Sequence, residues 1–128
     1  MTYQLAIMKE PTYLHARVTG RNSPGAVRSY LADIYAACVD WNVGAVLIEE
    51  NLEGPGLTLT EIYQVIADSS QQTWPHVRRL AFVDLHAAHR PGNIRFGETV
   101  ALNRGVNVRS FLDVESAKSW LLHDEGSQ

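Results

Sequence analysis

Cysteine occurs only once, at Cys38, so the chain can form no internal disulfide and a disulfide-stapled secreted scaffold is excluded. Cys38 falls on the apolar stripe of an expected helix, where a small buried thiol is the expected role rather than a nucleophile. The reducing cytosol is accordingly the expected location. Long apolar runs are also missing: none approaches the ~20 residues that cross a bilayer, and no transmembrane segment is expected. The opening MTYQLAIMKE carries neither a basic region nor a small-residue cleavage site, so no signal peptide is expected.

Basic residues are absent from Ser29 to Pro75, where seven carboxylates (Asp33, Asp40, Glu49, Glu50, Glu53, Glu61, Asp68) stand alone. From His76 to Arg109 the balance reverses, with six arginines against Asp84 and Glu98. The asymmetry fits solvated faces or complementary charges that meet within the fold; alternatively it makes a dipolar surface that orients a charged partner. Nucleic acid is not an expected partner, because the acidic half repels it and no basic–aromatic motif interleaves the charges. A nucleophile elbow, a P-loop, a dinucleotide fingerprint and a structural zinc motif are all missing, so no cofactor and no catalytic residues are expected.

What is present fits one domain over residues 1–122 with a polar tail over 123–128. A chain of 128 residues buries roughly two-thirds of the surface it exposes unfolded, and 45% hydrophobic residues suffice for that core. Gln4–Lys9 and Tyr13–Thr19, split by Glu10-Pro11-Thr12, form an antiparallel hairpin whose first strand lies at or near a sheet edge. In the second strand Leu14, Ala16 and Val18 face inward, which puts His15 on the polar face. Ser23-Pro24 starts a helix, and Val27, Tyr30, Leu31, Ile34, Tyr35, Cys38 and Trp41 make its core stripe.

Val43–Ile48 is a strand buried on both faces, and beyond it the chain changes to carboxylates, glycines and a proline. Thr58-Leu59-Thr60-Glu61 is a capping box opening a second helix to about Thr73, with Leu59, Ile62, Tyr63 and Ile66 inward. Arg79–Leu85 is a further buried strand. A third helix over about Asn93–Asn103 is closed by Gly105, Val106–Phe111 is the last strand, and Asp113 caps a final helix with Val114, Ala117, Trp120 or Leu121 inward. The order β-β-α-β-α-β-α-β-α predicts an α/β domain: a mostly parallel sheet, an antiparallel N-terminal strand and flanking helices.

Ligands and partners of such sheets meet the chain beyond the carboxyl ends of the strands. Three groups of residues fall there. Glu49, Glu50 and Glu53 follow the central strand; alternation sends Glu49 and Glu50 to opposite faces, and solvated strand-end charges are their default. His86 and His89 follow the neighbouring strand and could converge with a glutamate, although three-residue spacing in a loop does not establish a metal site. Arg90 and Arg95 flank the start of the third helix, where they either bind an anion or neutralise the three glutamates. Asn103 and Arg104 are expected to cap the helix or to pair with Glu98 or Asp113.

The segments YLHARVTG, GAVLIEE and FGETVALNRGVNVRSFLDVESAKSWL resemble the STAS/SpoIIAA-like domains, most closely the compact bacterial SpoIIAA-like proteins of unassigned function. Phe96, Glu98, Asn103-Arg104-Gly105, Phe111, Ala117 and Trp120-Leu121 carry the likeness, which extends over nearly the whole domain. In sporulation-type members a serine in an Asp-Ser-Ser/Thr-Gly motif follows the central strand and is phosphorylated to switch a partner kinase. The matching residues 50–58, ENLEGPGLT, lack the Asp-Ser pair and keep Gly54, Gly56 and the hydroxyls of Thr58 and, just beyond, Thr60. Glu50 and Glu53 would oppose a phosphate there, so Thr58 is expected to serve as a cap.

The resemblance implies a non-catalytic regulatory module that binds a partner protein or a small ligand at the carboxyl end of its sheet. The alternatives are a phospho-acceptor using Thr58 or Thr60, and an apolar-ligand or lipid-binding protein. A homo-oligomer anchored by Trp74 or Trp120 is a further expectation.

Overall fold

The turn at Glu10–Tyr13, closed by the Glu10 amide donating to the Tyr13 carbonyl, folds β1 (Tyr3–Lys9) back on β2 (Leu14–Arg21). The computed structural model describes residues 3–69, 76–86, 89 and 91–122. The expected tail 123–128, the end of the second helix beyond Ser69, Trp74 and Arg90 lie outside the described residues. α1 (Pro24–Trp41), β3 (Ala45–Glu53), α2 (Leu59–Ser69), β4 (Arg79–Asp84), α3 (Pro91–Asn103), β5 (Val108–Phe111) and α4 (Val114–Leu122) follow in the expected order.

The five strands form one sheet in the order β1-β2-β3-β4-β5. β1 and β2 are antiparallel and every other pair is parallel. β1 is therefore an edge strand, as expected, and β3 is central.

Capping explains the helix boundaries. Ser23 accepts from the Ala26 amide with Pro24 in the first turn, and Asn42 closes α1 in a left-handed conformation (φ 53°). Thr58 and Glu61 form the reciprocal capping box, with hydrogen bonds of 2.9 and 3.1 Å. Asp113 accepts from the Ser116 amide at 2.7 Å.

Alternation in the strands divides the core in two. Val46, Ile48 and Leu52 of β3, with Leu14, Ala16, Val18 and Leu80, pack against Tyr30, Ile34 and Cys38 of α1. Leu47, Ala81 and Val83 face the other way, onto Ala117 and Leu121 of α4. Each such fully buried aliphatic side chain stabilises the fold by about 1.5–3 kcal/mol. Cys38 is fully buried and burial pushes its thiol up to about 11, so it remains protonated and unreactive. Among the described residues no helix is long and apolar enough to cross a membrane.

Several expectations change. β3 does not stop at Ile48: its pairing with Arg17–Arg21 of β2 carries it through Glu53, so the three glutamates belong to the strand. His15 is buried rather than exposed, because β2 is an interior strand and the ring pairs with Glu49. Trp41 is about half exposed at the last turn of α1, and Leu59 and Tyr63 face outward on α2, whose inward residues are Ile62, Val65 and Ile66. Trp120 is not a free anchor; it packs beside Phe111 and under the Arg79 guanidinium, 5.0 Å from the ring. Arg104 lies over Tyr63 and donates to its hydroxyl instead of pairing with Glu98 or Asp113.

Candidate functional site

α2 packs against α1 and α3 more than against the sheet. Beneath it, between these helices and one face of the sheet, lies a cavity of about 600 Å³. Ile62, Val65 and Ile66 line its roof, Ile48, Leu80 and Phe82 its floor, and Ala101, Val106 and Val108 its far side. The close approach of α2 and α3 depends on Gly97: a Cβ there would come within 3.2 Å of Ile62 and 3.3 Å of Ile66. Exposed residues Pro55, Gly56 and Thr58 also line the cavity, which puts its mouth at the β3–α2 loop.

One end of this apolar space is polar. Glu50 shares its strand face with Val46, Ile48 and Leu52, so it points inward and is only 6% exposed. Asp84 stands opposite it in register on β4, on the same face as Leu80 and Phe82. Tyr30, fully buried on α1, donates its hydroxyl to Glu50 Oε2. His89 Nδ1 lies 2.6 Å from Asp84 Oδ2, and His89 Nε2 lies 3.0 Å from the Gly54 carbonyl oxygen.

The protonation states follow from these partners. Both His89 nitrogens face acceptors, so both carry protons and the ring is cationic. Burial works against that charge, but the hydrogen bond and charge of Asp84, with help from the Gly54 carbonyl, raise its pKa. Burial raises Glu50 to about 7; the Tyr30 hydrogen bond opposes this and the adjacent Asp84 charge adds to it. Burial, then the charge of Glu50, raises Tyr30 well above the usual phenol value, so Tyr30 acts as a donor. At neutral pH the four groups thus comprise an Asp84–His89 ion pair, a neutral Tyr30 donor and a Glu50 carboxyl that readily gains or loses a proton.

Glu50, Asp84 and His89 each offer a ligand atom within 4.8 Å of the others. A metal ion would have to displace one of the two hydrogen bonds that already occupy the His89 ring.

The remaining expected site residues scatter. Glu49 points to the opposite face, where His15 Nε2 lies at 2.8 Å and Arg17 Nε at 3.5 Å. Glu53 is exposed at the strand end, 3.6 Å from His86 Nε2. His86 stacks on His89 with ring centroids 4.6 Å apart, and its amide donates to Asp84. Thr58 caps α2, and Thr60 is exposed in its first turn. Arg95 is exposed on α3 and, among the described residues, pairs with none of the three glutamates; Arg90 lies outside the described residues. The glutamates find histidines, Arg17 and Tyr30 instead.

Three side chains hold the loop at the mouth. His89 takes the Gly54 carbonyl, Asn22 Nδ2 donates to that of Pro55 at 3.0 Å, and Asn93 Nδ2 donates to that of Leu57 at 3.2 Å. Gly54 has φ +101°, a conformation that L side chains rarely adopt, which lets the strand turn directly into this loop.

Tyr30 and Asp84 were missed as site residues. Tyr30 sits on an unbroken apolar stripe, where core is the natural reading. Asp84 had a readable signal: an acid on the inward parity of one buried strand, beside Glu50 on the inward parity of its neighbour. Neither a family model nor a curated protein sequence matches this chain.

Proposed function

We propose that this protein is a non-catalytic module that binds an apolar small molecule in the cavity beneath α2, at the carboxyl end of the sheet. The cavity carries the reading. Protein interiors are close-packed, and voids much larger than a water molecule are few. The space opens to solvent at the β3–α2 loop, yet Ile62, Val65, Ile66 and Phe82 within it offer water no hydrogen bonds. An apolar ligand covers these side chains, and the volume of about 600 Å³ lies within the roughly 300–1,000 Å³ of known small-molecule sites.

The element order and sheet support reading the chain as a STAS-like domain. Its phospho-acceptor alternative draws less support, because the Thr58 hydroxyl already accepts the Glu61 amide as a helix cap.

Nile red, a neutral apolar dye, tests the proposal. One-site, saturable fluorescence enhancement is expected for the wild-type protein and at least a tenfold loss of affinity for Ala101→Phe, which fills the cavity from α3. Unsaturable dye uptake, or uptake indifferent to Ala101→Phe in a folded variant, would overturn it.

A further inference from the structure

The ionisable groups that line the cavity are mostly acidic. Glu50, Asp84 and Glu98 line the space; among the described residues His89 is the only cation there, with no lysine or arginine. That histidine is already committed to Asp84 and Gly54. An anionic head group, such as a fatty carboxylate, would therefore meet carboxyl groups with no free cation to compensate them.

We infer that the ligand is a lipophilic amine, whose chain fills the apolar cavity and whose ammonium group sits against Glu50 and Asp84. This rests on the cavity being a ligand site. An ammonium has three donors and no acceptor, which matches the two carboxyls that stand in register on β3 and β4. Its charge also fixes the proton balance. Glu50 is faced by Tyr30 from α1, Asp84 from β4 and His89 from the following loop. In the free protein Glu50 holds a proton for part of the time near neutrality. The bound cation holds it ionised, and the displaced proton leaves to solvent. Binding then tightens as pH rises toward 7, by up to tenfold per pH unit, and levels off above it.

Displacement of Nile red by octylamine, octanol and octanoate, three probes with one chain length and different heads, tests the inference. Octylamine is expected to displace the dye at least tenfold more effectively than octanol, with octanoate weakest. Calorimetry in buffers of different ionisation enthalpy should show proton release on octylamine binding below about pH 7. Glu50→Gln, a near-isosteric change, should reduce the amine-over-alcohol ratio at least tenfold and abolish the proton release.

Octanol or octanoate matching octylamine in the wild-type protein would overturn the inference and leave the ligand-binding proposal standing. Failure of Nile red and all three probes to bind would overturn both. Stoichiometric zinc binding that depends on Glu50 and excludes octylamine would reassign the cluster to a metal and overturn the inference.

Discussion

Glu50 carries two burdens, a place in an apolar core and a charge it cannot easily hold there. Its folded value near 7 against an ordinary 4.5 corresponds to about 3 kcal/mol of preference for the protonated form. The folded protein therefore keeps a proton that the unfolded chain has released, and this contribution is complete at acid pH and lost as pH rises through the folded value. The wild-type protein should lose up to about 3 kcal/mol relative to Glu50→Gln between about pH 4.5 and pH 7, read from denaturant midpoints along the pH series. A difference between the two proteins that does not change with pH would contradict this. His89, whose value is raised by Asp84 and the Gly54 carbonyl, contributes in the same direction, and both proteins keep these two partners; the smaller share from the Glu50 charge is present in the wild type alone. The burial of Glu50 was half legible: alternation separates it from Glu49, but only the extension of β3 past Ile48 turns that parity into burial. Local apolarity ends at Ile48, and pairing with Arg17–Arg21, which lie far off in sequence, continues the strand.

At the scale of elements, the β3–α2 loop is the part that must yield for a ligand to enter. His89, Asn22 and Asn93 hold the Gly54, Pro55 and Leu57 carbonyls of this loop from three different places in the chain. Each amide contact adds about 1 kcal/mol to keeping the loop closed, about fivefold in the opening equilibrium. The double variant Asn22→Ala/Asn93→Ala should thus speed amide hydrogen exchange over residues 54–58 by about an order of magnitude, while the sheet amides stay protected. Unchanged exchange in the loop would show that these side chains do not restrain it. The turn was evident in the glycines and the proline, and the capping box at Thr58 in its spacing. The tethers were not, because residues 33 and 36 positions away supply two of them and the histidine's roles emerge only once β4 lies beside β3.

For the whole molecule, alternating strand and helix patterns suffice to give the α/β order, the antiparallel first strand and the edge position of β1, since each follows from local periodicity and short connections. The cavity does not follow from them. Ile62, Val65, Ile66, Leu80 and Phe82 are the residues of a core, and composition is the same whether such side chains touch one another or face a space. What opens the space is the stand-off of α2, supported on α1 and α3, with Gly97 setting its distance from α3. A crystal structure determined under xenon pressure tests this directly, because xenon occupies apolar cavities without needing a head group. Xenon, or a co-purified apolar molecule, is expected in the space bounded by Ile66, Phe82 and Val106. A structure in which α2 has settled onto the sheet, with Ile62, Val65 and Ile66 packed against Leu80 and Phe82 and no density between them, would contradict the account.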